Sequence, residues 1–464
     1  MPTPATPAVA PPALTPFLAA CRRLLGEADV LTDADVTASY VTDWTGRFTG
    51  TTPAVVRPGS TAAVAELVAL ARRHGVALVP QGGNTGLVAG GVPLAGEVVV
   101  SMQRMDALGP VDRLAGQVTA GAGVTLTALT AHAAAAGLAF GVDLGSRDSA
   151  TVGGMVATNA GGLHVVRHGA MRAQVVGVEA VLGTGGMVSR LGGLVKDNTG
   201  YDLGQLLCGS EGTLGIVTAA RLRLVTPPAH VVTALVGLAS VPATVALAGD
   251  LRSALPDVRA LELMTGPSLR LVAGYLRAEP PVAPDAGAYL LVEVGSADDP
   301  VDRLAAAVAG HDEVVDAAVA TERGDRGRLW RWREAHSEAG SSLGVVHKLD
   351  VTLPADSMAG FCHEVVGRVS AARPGATTLL FGHVGDGNVH VNVVGPPADD
   401  DAVDDVVLGL VVERGGSISA EHGIGTLKKR WLARDRSAAE VAAMRAVKDA
   451  LDPDGILNPG ALLP

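Results

Sequence analysis

The stretch FGHVGDGNVHVNV, residues 381–393, carries the clearest fold signal in the chain. Apolar residues flank Asp386 and Gly387, a pair typical of a two-residue type I′ turn, in which both residues take positive φ. The sequence therefore predicts a β-hairpin. With a two-residue loop, His383 faces His390 across the strands, and we expect their Cβ atoms to lie about 5 Å apart.

Polar side chains around this hairpin predict a metal site. Asn392 lies two residues beyond His390, so strand alternation puts it on the same face. The later segment SAEHGIG, residues 419–425, supplies Glu421 as a third ligand. Two imidazoles and a carboxylate suit a divalent ion, with zinc expected first and manganese second, and they leave a position for a substrate oxygen. The alternative is a plain hairpin with two surface histidines and a helix-start glutamate.

Three glycine-rich segments in the first half predict a large cofactor held by backbone groups. The first, QGGNTG at residues 81–86, has glycines that permit positive φ and leave N–H groups uncovered, as in an anion-binding nest. The alternative is an ordinary turn between a strand and a helix. Residues 143–162 and 197–218 are similarly rich in glycine and polar residues. The absence of GxGxxG and of a Gly-Lys pair excludes the Rossmann fingerprint and the P-loop.

Bulk composition limits the class of protein. The 464 residues are 48% hydrophobic and 18% charged, which is typical of a globular chain with two or three domains. The net charge of −11 argues against nucleic acid as the main partner. Three isolated cysteines, Cys21, Cys208 and Cys362, argue against a disulfide framework and favour the cytoplasm.

Periodicity and turn residues predict the order of elements. Residues 1–16 are expected to be a flexible tail without a signal peptide, followed by a helix at 16–25. A helix capped by Ser60 or Thr61 ends at Gly75. The uncharged run at 231–248 is broken by polar residues, so it predicts a strand and a helix instead of a membrane span. Beyond Pro227 we expect strands at 230–238, 261–263 and 289–295, with helices at 241–255 and 300–310.

FGHVGDGNVHVNV and SAEHGIGTLKK resemble the C-terminal signatures of flavin-dependent D-2-hydroxyacid dehydrogenases. These enzymes belong to the FAD-binding oxidoreductase/transferase type 4 family, within the vanillyl-alcohol oxidase/p-cresol methylhydroxylase superfamily. The resemblance runs from about Thr42 to the end. It implies an α+β fold with an N-terminal tail and helix (1–40), an FAD-binding domain (41–228), a ferredoxin-like substrate or cap domain carrying the metal hairpin (229–420), and a C-terminal segment that returns to the flavin (421–464).

On this resemblance the glycine-rich segments bind FAD, with the first as the pyrophosphate loop. Family members with covalent flavin often carry histidine where this chain has Asn84, so non-covalent FAD is expected. The expected FAD-binding residues are Gln81, Gly82, Gly83, Asn84, Thr85, Gly86, Leu87, Asp143, Leu144, Gly145, Ser149, Gly153, Gly154, Thr158, Asn159, Gly161, Gly162, Glu211, Gly212, Ile216 and Asn458.

The resemblance also assigns substrate and catalytic roles. Arg333, Ser337, Lys348 and Asn392 are expected to bind the substrate, because an arginine fork and a lysine can hold carboxylates. His422 is expected to contact the substrate as well and to accept its hydroxyl proton. For any one arginine, the alternative is a solvated basic helix face.

The implied reaction is oxidation of a D-2-hydroxyacid to the 2-keto acid. D-2-hydroxyglutarate is the first expectation, and D-lactate or glycolate are the alternatives. An oxidase and a non-enzymatic flavin- or metal-binding module also remain open. The electron acceptor is left open between an electron-transfer flavoprotein, a quinone and a cytochrome, and a homodimer is one option for assembly.

Overall fold

The structure is a computed structural model that describes residues 11–464. The helices are α1 (Pro11–Leu25), α2 (Ala34–Thr37), α3 (Thr61–His74), α4 (Leu126–Ala135), α5 (Val152–Thr158), α6 (Val165–His168), α7 (Met171–Gln174), α8 (Leu203–Leu207), α9 (Val241–Ala254), α10 (Gly266–Leu276), α11 (Val301–Ala309), α12 (Arg323–Glu334), α13 (His336–Ser341), α14 (Ala355–Ala372), α15 (Asp401–Glu413), α16 (Leu432–Asp435) and α17 (Ala438–Leu451).

The strands are β1 (Val30–Leu31), β2 (Val55–Val56), β3 (Leu78–Gln81), β4 (Val98–Ser101), β5 (Gln117–Gly121), β6 (Ala139–Phe140), β7 (Val175–Leu182), β8 (Met187–Ser189), β9 (Gly215–Val225), β10 (His230–Leu238), β11 (Val258–Thr265), β12 (Ala288–Ser296), β13 (Val314–Ala320), β14 (Val346–Thr352), β15 (Thr377–His383) and β16 (Asn388–Val394). Short 3₁₀ turns occur at Glu27–Asp29, Ala38–Tyr40 and Lys429–Trp431.

Local chemistry explains why α3 begins and ends where it does. The Ser60 hydroxyl accepts a hydrogen bond from the backbone N–H of Ala63 at 3.2 Å, which satisfies a donor of the first turn. Gly75 ends the helix in the left-handed conformation, with φ 62°. Both predicted signals are confirmed. The predicted tail is wrong for residues 11–16, which lie in α1, and its residues 1–10 lie outside the described part of the chain.

The chain divides into two compact units. Unit 1 comprises residues 1–161, 170–226 and 421–464, of which 11 onward are described, and unit 2 comprises 162–169 and 227–420. In unit 1, four strands pair in the order β1-β2-β4-β3, and an antiparallel sheet has the order β5-β9-β7-β8, with β6 also paired to β9.

The core of unit 1 joins distant parts of the sequence. Phe17 of α1 and Leu67 of α3 are fully buried in one cluster with Ile456 and Leu457. The Leu78 N–H donates to the Ile456 carbonyl at 2.8 Å, and the Asn458 N–H donates back to the Leu78 carbonyl at the same distance. Residues 456–458 therefore extend the pairing of β3.

Unit 2 contains a seven-stranded antiparallel sheet of order β13-β10-β12-β11-β15-β16-β14. In its first four strands, β10 connects to β11 through α9, and β12 connects to β13 through α11. This is the ferredoxin-like arrangement, so the predicted fold class is confirmed. The sequence prediction omitted α10 and β13. The apolar run at 231–248 forms β10 and α9, as predicted.

Helices cover both faces of the unit 2 sheet. Helices α9, α14 and α15 pack on one face, while α10 and α12 pack on the other. On this second face Leu235, Met264, Tyr289 and Leu291 form an apolar core with the helices. No helix among residues 11–464 is both long and apolar enough to cross a bilayer.

Candidate functional site

The loop after β3 in unit 1 is held in place by two amide side chains. Nε2 of Gln81 donates to the carbonyls of Tyr40, at 2.9 Å, and Gly91, at 2.7 Å. Asn84 lies in the left-handed region with φ 51°, and its Nδ2 donates to the Thr42 carbonyl at 2.8 Å. These bonds leave the backbone between the two side chains as a fixed turn.

The second glycine-rich segment packs directly against this loop. A Cβ atom at Gly82 would lie 2.2 Å from Oγ1 of Thr151, and one at Gly83 would lie 1.7 Å from the Ser149 carbonyl oxygen. Similarly, a Cβ atom at Gly153 would lie 2.6 Å from the Cβ of Ala122. Larger residues would force these segments apart, so glycine is required for the close approach.

The loop fits the pyrophosphate of FAD. Among the hydrogen bonds within residues 11–464, none is donated by the backbone N–H groups of residues 82–87. A Cβ atom added at Gly86 or at Gly145 would meet no atom of the described chain within 4 Å. A short run of available N–H donors beside open space is the arrangement that binds anionic phosphate groups.

The third glycine-rich segment joins the C-terminal part of unit 1. Glu211 has φ 51°, and its carboxylate accepts hydrogen bonds from the N–H groups of Ile424, at 2.8 Å, and Gly425, at 2.7 Å. Burial raises the pKa of Glu211, while these two N–H groups and Lys428 act in the opposite direction. Asn458 completes the junction, because its Nδ2 donates to the carbonyl of Glu211 at 2.7 Å.

Other predicted FAD-binding residues have structural partners in the same unit. Oγ1 of Thr158 donates to the Gly154 carbonyl at 3.0 Å, and Oδ1 of Asn159 accepts from the Arg172 N–H at 2.8 Å. The Ile216 side chain is buried in the apolar core of unit 1, so only its backbone could reach a cofactor. Gly162 lies in unit 2, at the start of the segment that contains α6.

The hairpin forms, but the predicted two-residue loop is wrong. Phe381 pairs with His390, so the register is shifted by two residues and the loop contains four, 384–387. The Asp386 N–H donates to the His383 carbonyl at 3.2 Å, and Gly387 takes the positive φ of 89°. Because the shift is even, His383 and His390 remain on one face, with ring centroids 5.3 Å apart.

A buried carboxylate connects His383 to Arg333 in unit 2. Oε1 of Glu262 lies 2.7 Å from Nδ1 of His383, and its Oε2 accepts from Nε of Arg333, also at 2.7 Å. Burial alone would raise the pKa of Glu262, but His383 and Arg333 together bring it below its ordinary value. The Arg333 guanidinium also lies over the Phe381 ring, 4.8 Å from its centroid.

The other predicted unit 2 residues lie on the same sheet face. Lys348 of β14 is paired directly with Asn392 of β16, and Asp350 is paired with His390 in the same way. Burial lowers the pKa of Lys348. Oδ1 of Asp350 lies 3.5 Å from Nδ1 of His390. Sheet pairing therefore brings two substrate-binding candidates and a metal-binding candidate onto neighbouring strands.

Ser337 lies in α13, close in sequence to the point where this helix meets the hairpin. It is half-buried, and its carbonyl accepts a hydrogen bond from the Ser341 hydroxyl at 2.9 Å. Three residues further on, a Cβ atom at Gly340 would lie 3.9 Å from Nδ2 of Asn392. The helix segment that carries Ser337 therefore packs over the hairpin.

Glu421 and His422 are the first residues of the last segment of unit 1. Gly161 allows Glu421 to approach closely, because a Cβ atom there would lie 2.4 Å from Oε2 of Glu421. Nε2 of His422 lies 3.9 Å from Oε1 of Glu421. In unit 2 the preceding residue, Ala420, donates its N–H to the Asp350 carbonyl at 3.4 Å.

Sequence reasoning missed Glu262 and Asp350, both fully buried. Glu262 is the one charged residue in ALELMT, and Asp350 is the one carboxylate in HKLDVT. A charged residue in a buried strand needs a partner, which was the available signal. The identity of the partner depended on the pairing of β11 with β15 and of β14 with β16.

Comparisons with known proteins identify the family of this chain. The family model "FAD binding domain" matches residues 52–191, and "FAD linked oxidases, C-terminal domain" matches residues 227–462. D-2-hydroxyglutarate dehydrogenase of Xanthomonas citri pv. viticola is 38% identical over 440 residues, covering 91% of this chain and 92% of the relative. The mitochondrial D-2-hydroxyglutarate dehydrogenase of Danio rerio is 33% identical, covering 99% of this chain and 89% of the relative.

A solved structure of p-cresol methylhydroxylase with substrate bound has the same fold. It superposes with a TM-score of 0.77 at 17% identity and covers 97% of each chain. The sequence matches extend over both units, and the first two glycine-rich segments and the hairpin lie inside the matched ranges. The third segment, 197–218, lies between the two ranges. The chain therefore belongs to the family of FAD-linked oxidases, with an FAD-binding domain followed by the C-terminal domain of that family.

Proposed function

We propose that this chain is an FAD-dependent dehydrogenase that oxidises D-2-hydroxyglutarate to 2-oxoglutarate. The observation that carries the proposal is the polar face of the unit 2 sheet, where two basic residues lie near two histidines. Neither Nη atom of Arg333 has a hydrogen-bond partner within residues 11–464, since only Nε is engaged by Glu262. The identity to D-2-hydroxyglutarate dehydrogenases over nearly the whole chain supports this substrate.

The residues divide the work by charge. Arg333 and Lys348 bind carboxylate groups of the dianionic substrate, and Ser337 and Asn392 add hydrogen bonds. His422 accepts the proton of the C2 hydroxyl, a role suited to a neutral imidazole near pH 7. Bound FAD supplies the hydride acceptor for the hydrogen on C2.

A divalent cation is part of this proposal. His383, His390 and Glu421 are the proposed ligands, with zinc favoured and manganese as the alternative. The cation supplies Lewis acidity that lowers the pKa of a nearby hydroxyl. The 5.3 Å separation of the two imidazole rings and the buried carboxylate beside His383 support a ligand role for both histidines.

FAD is proposed to bind without a covalent bond. The amide of Asn84 is not a nucleophile, and its Nδ2 already donates hydrogen bonds to the carbonyls of Ser39 and Thr42. Acid precipitation should therefore release all of the flavin into the supernatant. Flavin fluorescence on the protein band of a denaturing gel would contradict this.

The location and the partners are also proposals. Cys21, Cys208 and Cys362 are free and buried, which supports a reducing compartment such as the cytoplasm. The acceptor of the electrons is proposed to be an electron-transfer flavoprotein, a quinone or a cytochrome, and a homodimer is one possible assembly.

The decisive experiment is anaerobic reduction of the bound flavin by a panel of 2-hydroxyacids. The panel contains both enantiomers of 2-hydroxyglutarate and lactate, together with glycolate. We expect D-2-hydroxyglutarate to have the largest kcat/KM and its L-enantiomer to leave the flavin oxidised. A preference for D-lactate or glycolate would replace the proposed substrate, and no reduction by any member of the panel would contradict the proposed activity.

A further inference from the structure

One carboxylate in unit 2 contacts both a proposed metal ligand and a proposed substrate-binding residue. Glu262 is fully buried on β11, beside the hairpin strand β15. Its two oxygens have different partners, Nδ1 of His383 and Nε of Arg333, each at 2.7 Å. Resting on the function proposed above, we infer that Glu262 is a positioning residue shared by the metal site and the substrate-carboxylate site.

The contact with His383 fixes which nitrogen faces the metal. A carboxylate can only accept hydrogen bonds, so Nδ1 of His383 must carry the proton. Nε2 then carries the lone pair in the neutral ring and is the nitrogen that can ligate a cation. Carboxylate–histidine contacts of this kind orient the ring and increase the basicity of the ligand nitrogen.

The contact with Arg333 fixes the direction of the guanidinium. Glu262 engages Nε, and the face of the group lies over Phe381, 4.8 Å from the ring centroid. These two constraints hold the guanidinium plane, so its two Nη atoms are presented together for a bidentate contact with a carboxylate. A lysine at this position could not make both contacts.

Glu262 supports both proposed sites from regular secondary structure. Both carboxylate oxygens are engaged, and neither contact depends on a flexible loop, because the three residues lie on β11, β15 and α12. Loss of the charge at Glu262 should therefore disturb both proposed sites together, although the sites bind chemically different ligands.

Glu262→Gln is the test, and Glu293→Gln is the matched control. Glu293 lies on the same face of the neighbouring strand β12 and is also a buried carboxylate, paired with Arg259 at 2.9 Å. Both variants remove a buried charge from the same sheet. Of these two carboxylates, only Glu262 contacts residues that are proposed to bind the substrate or the metal. The control therefore separates positioning from general destabilisation.

Two binding constants are measured, and neither requires turnover. Zinc affinity is determined by titrating metal-stripped, FAD-loaded protein with a competing chelator. Glutarate, a dicarboxylate without the 2-hydroxyl group, is titrated by calorimetry into the same metal-stripped protein. For Glu262→Gln we expect the zinc dissociation constant to rise about 10- to 100-fold and the glutarate constant to rise about tenfold. Glu293→Gln should change each by less than about twofold.

A second, conservative variant provides a test in case Glu262→Gln does not fold. Glu262→Asp keeps the charge but shortens the side chain. Compared with Glu262→Gln, it should therefore restore part of the affinity for one of the two ligands, zinc or glutarate, but not for both. If Glu262→Gln fails to fold, the pattern in Glu262→Asp decides: wild-type values for both ligands overturn the inference.

The remaining outcomes are also decisive. A change in only one of the two constants, no change in either, or a wild-type protein that binds neither zinc nor glutarate contradicts shared positioning. The proposed function is tested separately from these binding constants, because its test is reduction of the wild-type flavin by D-2-hydroxyglutarate.

Discussion

Glu421 and His422 are adjacent residues to which we assign different tasks. Nε2 of His422 lies 3.9 Å from Oε1 of Glu421, and Glu421 packs against Gly161. A simple loss of activity would not separate a metal ligand from a proton acceptor. The two roles differ in what they do to metal content, which gives a direct way to assign them.

Glu421→Gln should weaken metal binding, because a neutral amide replaces a charged ligand. Activity should return at least partly when excess zinc or manganese is added. His422→Ala should keep its metal but lose about 10²- to 10⁴-fold in kcat, since only the proton acceptor is removed. Elemental analysis and steady-state kinetics of both variants make the measurement.

FAD should remain bound in both variants, because the proposed pyrophosphate loop at residues 81–86 contains neither residue. Full metal in Glu421→Gln together with metal loss in His422→Ala would reverse the two assignments. Full activity of the metal-free wild type would contradict the metal site itself.

The carboxylate of Glu211 is one of the contacts that join the third glycine-rich segment to the C-terminal segment. The carboxylate of Glu211 accepts both the Ile424 and the Gly425 N–H groups, just after His422 in the sequence. Buried backbone N–H groups need an acceptor, so this contact helps to hold the conformation of the segment. The segment is therefore fixed from unit 1 by a residue far away in sequence.

Glu211→Ala should loosen this segment by leaving two N–H groups without this acceptor, at a cost of about 1–3 kcal/mol for the buried Gly425 N–H and less for the half-buried Ile424 N–H. We expect a lower melting temperature and faster proteolytic cleavage between residues 419 and 430. Glu211→Gln keeps an acceptor oxygen and should fall between the wild type and alanine. Equal cleavage rates in all three proteins would show that the segment does not depend on Glu211.

Elements were predicted more reliably than the contacts between them. The caps of α3 and the position of β10 follow from local chemistry, and so they could be predicted from sequence. The hairpin register could not be predicted in this way, because Asp-Gly suits both a two-residue turn and a longer loop with Gly387 at positive φ. The longer loop is supported from β11, where the Leu261 carbonyl accepts the Gly385 N–H at 3.4 Å.

The same limit applies to the candidate site. The predicted residues His383, His390, Lys348 and Asn392 share one sheet face because strand alternation preserves the face even after the two-residue shift. Glu262 reaches His383 through the pairing of β11 with β15, and its strand precedes the hairpin by more than a hundred residues. Local sequence patterns contain no information about such a pairing.

The stability of unit 2 toward acid is expected to depend on its buried histidines. Their protonation should set the pH at which the free energy of unfolding begins to fall. Burial, aided by the charge of Arg333, lowers the pKa of His336 from 6.5 to about 3. The folded protein therefore keeps this ring neutral while the unfolded chain takes up a proton. The stabilisation is fully present above pH 6.5 and is lost as the pH falls through this range toward 3.

His336→Gln should flatten this dependence. The wild type should lose about 1.4 kcal/mol of unfolding free energy per pH unit from this group between pH 6.5 and the onset of other titrations. Denaturant unfolding at pH 7, 6 and 5 measures the slope for both proteins. Equal slopes would show that His336 is not responsible.

Carboxylates add a second, more acidic step. Burial alone would raise the pKa of Glu293, but the hydrogen bond with His164 and the charge of Arg259 lower it to about 2. Its contribution is present above its ordinary pKa of 4.5 and is lost as the pH falls toward 2. Acid unfolding of unit 2 is therefore expected to begin with the histidines and to end with this carboxylate.

The order in which a ribosome makes this chain has a consequence for the flavin. Strand β3, which leads into the proposed pyrophosphate loop, is paired with residues 456–458, and Leu457 is buried in the same core as Phe17. The first part of unit 1 must therefore wait while all of 227–420 is synthesised, roughly 10–40 s at ordinary elongation rates. Unit 2 can complete its sheet during that interval. A nascent chain should thus complete the support of β3, and with it the proposed pyrophosphate loop, only after residues 456–458 have been synthesised.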